Sequence, residues 1–385
     1  MKSAMQRFCF LGAISLLVAC KASPQKPERE YHHPLQPVGK LIAAADMTSA
    51  RGGHAVAFLP DFQVLITGGK GGHGQVLATT EIYDPTQATF SAAAKMHVPR
   101  EGHIAVVLGD TKILVAGGAT TGGAALASSE DYEAEEGKFT FRGTMHARRY
   151  HAAGLMLRDG RVLITGGADG TTPLASAEAY SVLTGKWTVV GKMSAARVDH
   201  TATMLKDGRV LIAGGCGRGG AALASAEIFD PITNRFTPAG DLHTARCRHA
   251  AILLADSKVL IAGGSSSAGS SSGASSGTSQ GEALNSAEIY DPKSNTFAQT
   301  GNLVEAQTRT AGAALMLDGR ALIVGGSASA EIFDAVKGEF RTVDGSFDTA
   351  RFDGAMVQLM DGSLRIFGGS DARGVSTAKS WMYRP

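Results

Sequence analysis

Four cysteines, two tryptophans and a 6% share of aromatic residues are little for a chain of 385 residues. Net charge is nearly absent as well: 37 Lys and Arg against 35 Asp and Glu give a formal +2. Residues 1–19 carry two of those basic residues, Lys2 and Arg7, and no acid. A chain so close to neutral makes no electrostatic case for nucleic acid or for a polybasic grip on a membrane. Long apolar runs are missing too, apart from Phe8 to Ala19, which is too short to cross a bilayer as a mature helix. What is present is 44% apolar residues, enough for a folded core and against global disorder.

The positive Lys2 and Arg7, the apolar run behind them and Cys20 read as a targeting segment over residues 1–19. Leu17-Val18-Ala19-Cys20 resembles the lipobox of bacterial lipoproteins. The resemblance implies cleavage before Cys20, acylation of that cysteine and a lipid anchor in the cell envelope, where several acyl chains hold stably. Lys21 stands where an acidic residue often signals inner-membrane retention, so the outer membrane is the expected destination. Residues 20–38, with Pro24, Pro27, Pro34 and Pro37 and no apolar periodicity, read as a semi-extended tether. His32 and His33 inside it lack the fixed geometry of a metal site.

Over residues 39–385 glycine doublets recur at Gly68, Gly117, Gly166, Gly214, Gly263, Gly325 and Gly368, spaced by 49, 49, 48, 49, 62 and 43 residues. A Ser/Gly insertion over 265–281 explains the long interval, and a loop cut to Ser327-Ala328-Ser329 explains the short one. A period near 50 signals a propeller. The unit from Arg197 to Asp241 shows the pattern in full. His200 to Leu205 turns through Asp207-Gly208 into Val210-Leu211-Ile212, and Ala226 to Asp230 and Phe236 to Ala239 follow the doublet.

With aromatic pairs Tyr83/Phe90, Tyr132/Phe139, Tyr180/Trp187, Phe229/Phe236, Tyr290/Phe297 and Phe333/Phe340 behind the doublets, the sequence resembles kelch repeats over most of its length. The resemblance implies an all-β, seven-bladed β-propeller of four-stranded antiparallel sheets. The seventh unit stops after its third strand at Trp381-Met382-Tyr383. Leu41 to Asp46 matches a fourth strand, so the N-terminal segment is expected to close the last blade, with Leu41 in the aromatic slot.

Each unit opens on R-x-x-H: Arg51/His54, Arg100/His103, Arg148/His151, Arg197/His200 and Arg246/His249, with Gln307/Thr310 and Arg351/Gly354 in the last two. An acid precedes the third-strand aromatic: Glu81, Glu130, Glu178, Glu227, Glu288 and Glu331. Groups repeated in every unit are expected to make a repeated contact, Arg–Glu pairs and histidine hydrogen bonds between neighbouring blades, rather than a metal site. Function is then expected where equivalent positions differ. In kelch propellers the loop leading into the first strand and the loop after Gly-Gly open on one end of the channel. The pairs inside R-x-x-H, including Glu101, Arg149 and Tyr150, Asp199, Arg248, Arg309 and Asp353, make a polar ring there, and Lys70, Asp169, Arg218, Asp371 and Arg373 join it from the loops. This mouth suits a protein or glycan ligand. Cys216 and Cys247 fall on the same face in adjacent units and read as a disulfide in an oxidising compartment. The insertion over 265–281 reads as a mobile loop above the mouth.

The expected function is that of a monomeric, lipid-anchored binding module without cofactor, metal or nucleic acid. The alternative is a carbohydrate-active enzyme, since copper-radical sugar oxidases and sialic acid epimerases share the fold. The oxidases need a tyrosine linked to a cysteine, a second tyrosine and two histidines. Here Tyr83, Tyr132, Tyr180 and Tyr290 fill packing slots, Tyr31 lies in the tether and Tyr383 at the end, leaving Tyr150. For an enzyme, Glu101, Asp199 and Asp353 are the candidate carboxylates.

Overall fold

A computed structural model describes residues 37–109, 111–267, 281–310 and 312–385. The targeting segment, Cys20, most of the tether and residues 268–280 of the insertion lie outside them. Residues 38–385 make one compact unit, and its main feature is a set of seven four-stranded antiparallel sheets. Blades 1 to 6 span residues 55–93, 104–144, 153–192, 201–238, 250–299 and 312–342. Blade 7 takes Ala355–Gln358, Leu364–Phe367 and Ser380–Arg384 from the C-terminal end and Lys40–Ala44 from the other end.

Blade 4 shows why each stretch takes its place. The unbroken apolar run Val210–Ala213 is buried at every residue, as a strand covered on both faces must be. It pairs with Thr201–Met204 across the Asp207-Gly208 turn and with Ala226–Asp230 on its other side. The fourth strand, Arg235–Pro238, lies a residue ahead of the reading from periodicity. Phe236 stands opposite Phe229, their rings 4.9 Å apart. All six aromatic pairs read from the sequence meet in this way, at 4.8 to 5.2 Å. The cores form between blades. One cluster joins Leu211 and Ile228 of blade 4 to Val259, Ile261 and Tyr290 of blade 5. A blade with two apolar faces therefore needs both neighbours.

The ring closes as the sequence implies. Lys40–Ala44 pairs antiparallel with Ser380–Arg384, which sets Leu41 opposite Tyr383 in the slot that Phe236 fills in blade 4. Leu41 is buried among Leu364, Ile366, Trp381 and Tyr383, and Phe347 packs edge-on against Trp381. Arg365 donates from Nη2 to the Ala45 carbonyl at 3.0 Å, a further link between the two chain ends.

Pairing also orients every blade. The start of each first strand and the end of each second strand, such as Ala55 and Thr67, sit together beside the glycine doublet at one end of the sheet. The hairpin between strands one and two and the turn between strands three and four sit at the opposite end. The first end is the channel mouth; the second is called the hairpin end below.

Candidate functional site at the channel mouth

The segment leading into each first strand is held by a repeated buried arginine. Arg100 Nη1 donates to the Gly117 carbonyl at 2.7 Å, and Nη2 donates to Glu130 at 2.7 Å. Glu130 in turn accepts the backbone N–H groups of His97 and Val98 in the same segment. Arg51, Arg149, Arg197 and Arg246 do the same with Glu81, Glu178, Glu227 and Glu288. These are contacts inside the blade being started, not the contacts between neighbours expected from the sequence. The neighbouring blade is joined through the arginine's own carbonyl, which accepts from the preceding doublet, Gly69 N–H to Arg100 O at 2.9 Å. Burial raises the carboxyl pKa of Glu130, Glu178 and Glu288, but backbone donors and the arginines outweigh it and hold all three low. Glu331 faces the uncharged Gln307, and there burial prevails and raises it. In blade 7 the acid is replaced by Trp381, and the Arg351 guanidinium lies 5.4 Å from the centre of its ring.

The histidines tie blade to blade through threonine hydroxyls. His103 meets Thr67, His200 meets Thr165 and His249 meets Thr201, at 2.8 to 2.9 Å. Burial and the adjacent arginine lower His200 and His249 to about 3, so these rings are neutral. His54 is lowered to about 3 for the same reasons, and among the described residues neither of its ring nitrogens has a hydrogen-bond partner. Blade 7 carries Phe367 at the position that offers Thr67 or Thr165 elsewhere.

Blade 3 overturns one expectation. Its scaffold arginine is Arg149, fully buried and 2.7 Å from Glu178, whereas Arg148 is exposed. Arg149 therefore does not line the mouth, and the variable pair of this blade is Tyr150-His151. The sequence held a signal for this: the scaffold arginine precedes the first glycine of its doublet by 17 residues in blades 1, 2, 4 and 5, and Arg149, not Arg148, keeps that spacing to Gly166. His151 is the mouth residue that the R-x-x-H pattern concealed.

The second member of each pair forms a ring about the axis. It reads Gly53, Gly102, His151, Asp199, Arg248, Arg309 and Asp353, and all seven have φ between 49° and 63°. At five of the seven the backbone N–H of the residue bonds to the ring residue of the preceding blade: Gly53 to Asp353 O, Gly102 to Gly53 O, His151 to Gly102 O, Asp199 to His151 O and Arg248 to Asp199 O, at 2.7 to 3.2 Å. Left-handed backbone costs a non-glycine residue about 1–2 kcal/mol. Five of the seven positions nonetheless carry large or charged side chains.

Those side chains interact. His151 Nδ1 lies 2.9 Å from one oxygen of Asp199, and Arg248 Nε donates to the other at 2.8 Å. Burial would lower the His151 pKa, but the Asp199 charge and hydrogen bond raise it overall. The same partners hold the Asp199 carboxyl far below its usual range against its burial. Arg309 and Asp353 pair at 3.5 Å. Beside them Glu101 makes no ion pair within 4 Å among the described residues, and burial raises its pKa against the attraction of Lys70 and His151. Lys70, Glu101, His151, Arg309, Asp353, Asp371 and Arg373 line a cavity of about 320 Å³ on the blade 7, 1 and 2 side of the mouth. Tyr150 stands at its edge, ring edge-on to His151 and hydroxyl donating to the Gly170 carbonyl at 3.1 Å.

The other residues expected here are dispersed. Arg218 is exposed in the one-turn 3-10 helix Arg218–Gly220, outside the cavity, and Asp169 is exposed on a two-residue hairpin. Cys216 and Cys247 form a disulfide with Cα atoms 5.4 Å apart, joining blades 4 and 5 at the mouth. Cys20 lies outside the described residues.

The model of the kelch motif family matches residues 149–194 and 197–243, and both matches begin on a scaffold arginine. The chain is a kelch-repeat β-propeller. No curated protein matches this kelch chain in sequence. Among solved structures it is similar to a fungal alcohol oxidase of the AA5 family in complex with copper. The two are 17% identical, the match covers 90% of this chain and 76% of the oxidase, and the TM-score is 0.70. Likeness at that identity concerns the fold alone. The residues of this mouth do not fit a copper-radical site: both described cysteines are in the disulfide, Tyr150 is its tyrosine, and His151 is engaged by Asp199. Among the described residues no three His, Cys, Asp or Glu side chains converge as metal ligands would.

Proposed function

We propose that this kelch propeller is a binding module that takes a polar ligand, a glycan or a charged protein segment, in the channel mouth. The observation that carries the reading is the ring of left-handed positions. Blades 1 and 2 use Gly53 and Gly102 there, so glycine suffices for the fold, yet His151, Asp199, Arg248, Arg309 and Asp353 keep side chains at a conformational cost. Paired cations and carboxylates around a cavity of about 320 Å³ offer donors and acceptors to hydroxyls, amides or charged groups of a ligand. Screening glycans and short charged peptides, followed by titration calorimetry of hits, tests the proposal. Wild-type protein should bind a hit saturably, and Glu101→Gln and Arg309→Ala should weaken it by about tenfold or more; a hit that binds both variants as tightly as wild type places its site elsewhere.

The module is anchored in the cell envelope through Cys20, on the strength of the lipobox resemblance at Leu17 to Cys20. Metabolic labelling with palmitate should mark the wild-type chain and not Cys20→Ala. A sugar-active enzyme is a second reading, favoured by Glu101 alone: a carboxyl with a raised pKa beside the raised His151 is the pairing of general acid/base chemistry. Turnover abolished by Glu101→Gln with ligand binding retained would establish it.

A further inference from the structure

The hairpin end carries an unusual set of exposed apolar side chains. Leu183, Ile232 and Val336 occupy one equivalent position, the tip of the turn between strands three and four in blades 3, 4 and 6. They are 95%, 91% and 97% exposed. The same position holds Thr86, Glu135 and Lys293 in blades 1, 2 and 5, so the turn itself requires nothing apolar. At the hairpins between strands one and two, Leu317 and Met360 are exposed in blades 6 and 7, and Phe62 in blade 1. Phe62 has φ of 64° at the position filled by Gly160, Gly208, Gly319 and Gly362 in other blades. Its ring and Met360 border an apolar cavity of about 430 Å³ with Phe58, Val107 and Ile113.

One observation bears on what faces these tips. Lys40, the first residue of the closing strand, pairs with Arg384, the last residue of the strand that starts at the mouth end with Ser380. The chain therefore enters the propeller at the hairpin end, through residues 38–40, with Cys20 earlier in the sequence. We propose that the hairpin end lies against a lipid bilayer, with Leu183, Ile232, Val336, Leu317 and Met360 inserted into its interface and the mouth directed away from it. The inference rests on the envelope-anchoring reading above. With the chain already held at the surface, weak insertion suffices, because the local concentration of lipid is high. Each buried tip adds a transfer gain, and Lys186, Lys293 and Lys337 beside the tips can lay their stems along the boundary with the ammonium in the headgroups.

Both native tryptophans are buried, so a tryptophan placed on the surface reports on its own position. Ile232→Trp, at the hairpin end, and Val375→Trp, at the mouth, are compared in the full chain with phosphatidylcholine vesicles brominated in their acyl chains. The expected result is a blue shift and quenching at 232 and neither at 375. Equal signals at both positions, or none at 232, overturn the proposal. So does a blue shift at 232 produced by an envelope protein extract and not by lipid, which would assign this end to a protein partner. Repeating the measurement in the Cys20→Ala chain separates the two readings: quenching there upholds the inserted tips whatever the fate of Cys20, and palmitate labelling judges the anchor alone. Replacing Leu183, Ile232, Val336 and Met360 together by Ser should weaken vesicle binding by about tenfold or more.

Discussion

Arg148 and Arg149 are neighbours of identical chemistry, and the fold gives them opposite fates. Arg149 is fully buried against Glu178 and the Gly166 carbonyl; Arg148 points to solvent. Removing one partner of a buried pair leaves an uncompensated charge, so Arg149→Ala should destabilise by about 3–5 kcal/mol. Arg148→Ala should stay within about 0.5 kcal/mol; denaturant midpoints of the two variants check both. The histidines set the pH response. His54, His200 and His249 bind protons near 3 when folded, against 6.5 when unfolded. The unfolded state therefore gains protons first as pH falls, and stability should drop from 6.5 towards 3, by about 1.4 kcal/mol per pH unit for each histidine. His151 acts in the opposite direction. Its folded pKa is raised, so the stabilisation it draws from Asp199 is complete below the unfolded value of 6.5 and fades as pH rises through the folded value. Unfolding midpoints against pH should show both limbs; Asp199→Asn should flatten the alkaline one and also remove the part of the acid limb below 3.8 that comes from the depressed Asp199 carboxyl itself.

At the scale of the element, the blades were legible because a strand pattern written seven times corrects itself. The apolar run of the second strand, the doublet and the aromatic pair each recur, and all six pairs stack as read. The mouth was legible only in part. The pattern R-x-x-H fits blade 3 only with Arg148, since His151 stands three residues after it and Ala152 three after Arg149; the pattern thus points to the wrong arginine and hides His151 in the scaffold, and only the 17-residue spacing to the doublet selects Arg149. Nor could composition foresee the ring of positive φ, since five of its seven residues are not glycine. The disulfide between Cys216 and Cys247 clamps the leading segment of blade 5 to the loop of blade 4. It closes a loop between cysteines 31 residues apart; replacing both by Ser should therefore cost about 3 kcal/mol in thermal or denaturant unfolding.

At the scale of the whole molecule, stability depends on a strand of five residues, Lys40–Ala44, which completes blade 7 from the other end of the chain. Without it Tyr383 and Trp381 lose their cover and the ring acquires an open edge. Deleting residues 39–46 should abolish the cooperative unfolding transition followed by circular dichroism. A deletion variant that melts like the intact chain would refute closure as the source of ring stability. The scaffold is thus carried by what repeats, the buried Arg–Glu pairs, the histidine–threonine bonds and the aromatic stacks, and binding falls to what does not.

That division is tested most directly by returning the ring to glycine. Arg309 and Asp353 occupy positions where blades 1 and 2 already use Gly53 and Gly102, so Arg309→Gly with Asp353→Gly should leave the unfolding midpoint within about 1 kcal/mol of wild type, strain relief offsetting the lost pair. Titration of the same protein with a glycan or peptide identified on wild type should show binding weakened by about tenfold or more. A large loss of stability, or binding indistinguishable from wild type, would contradict the account.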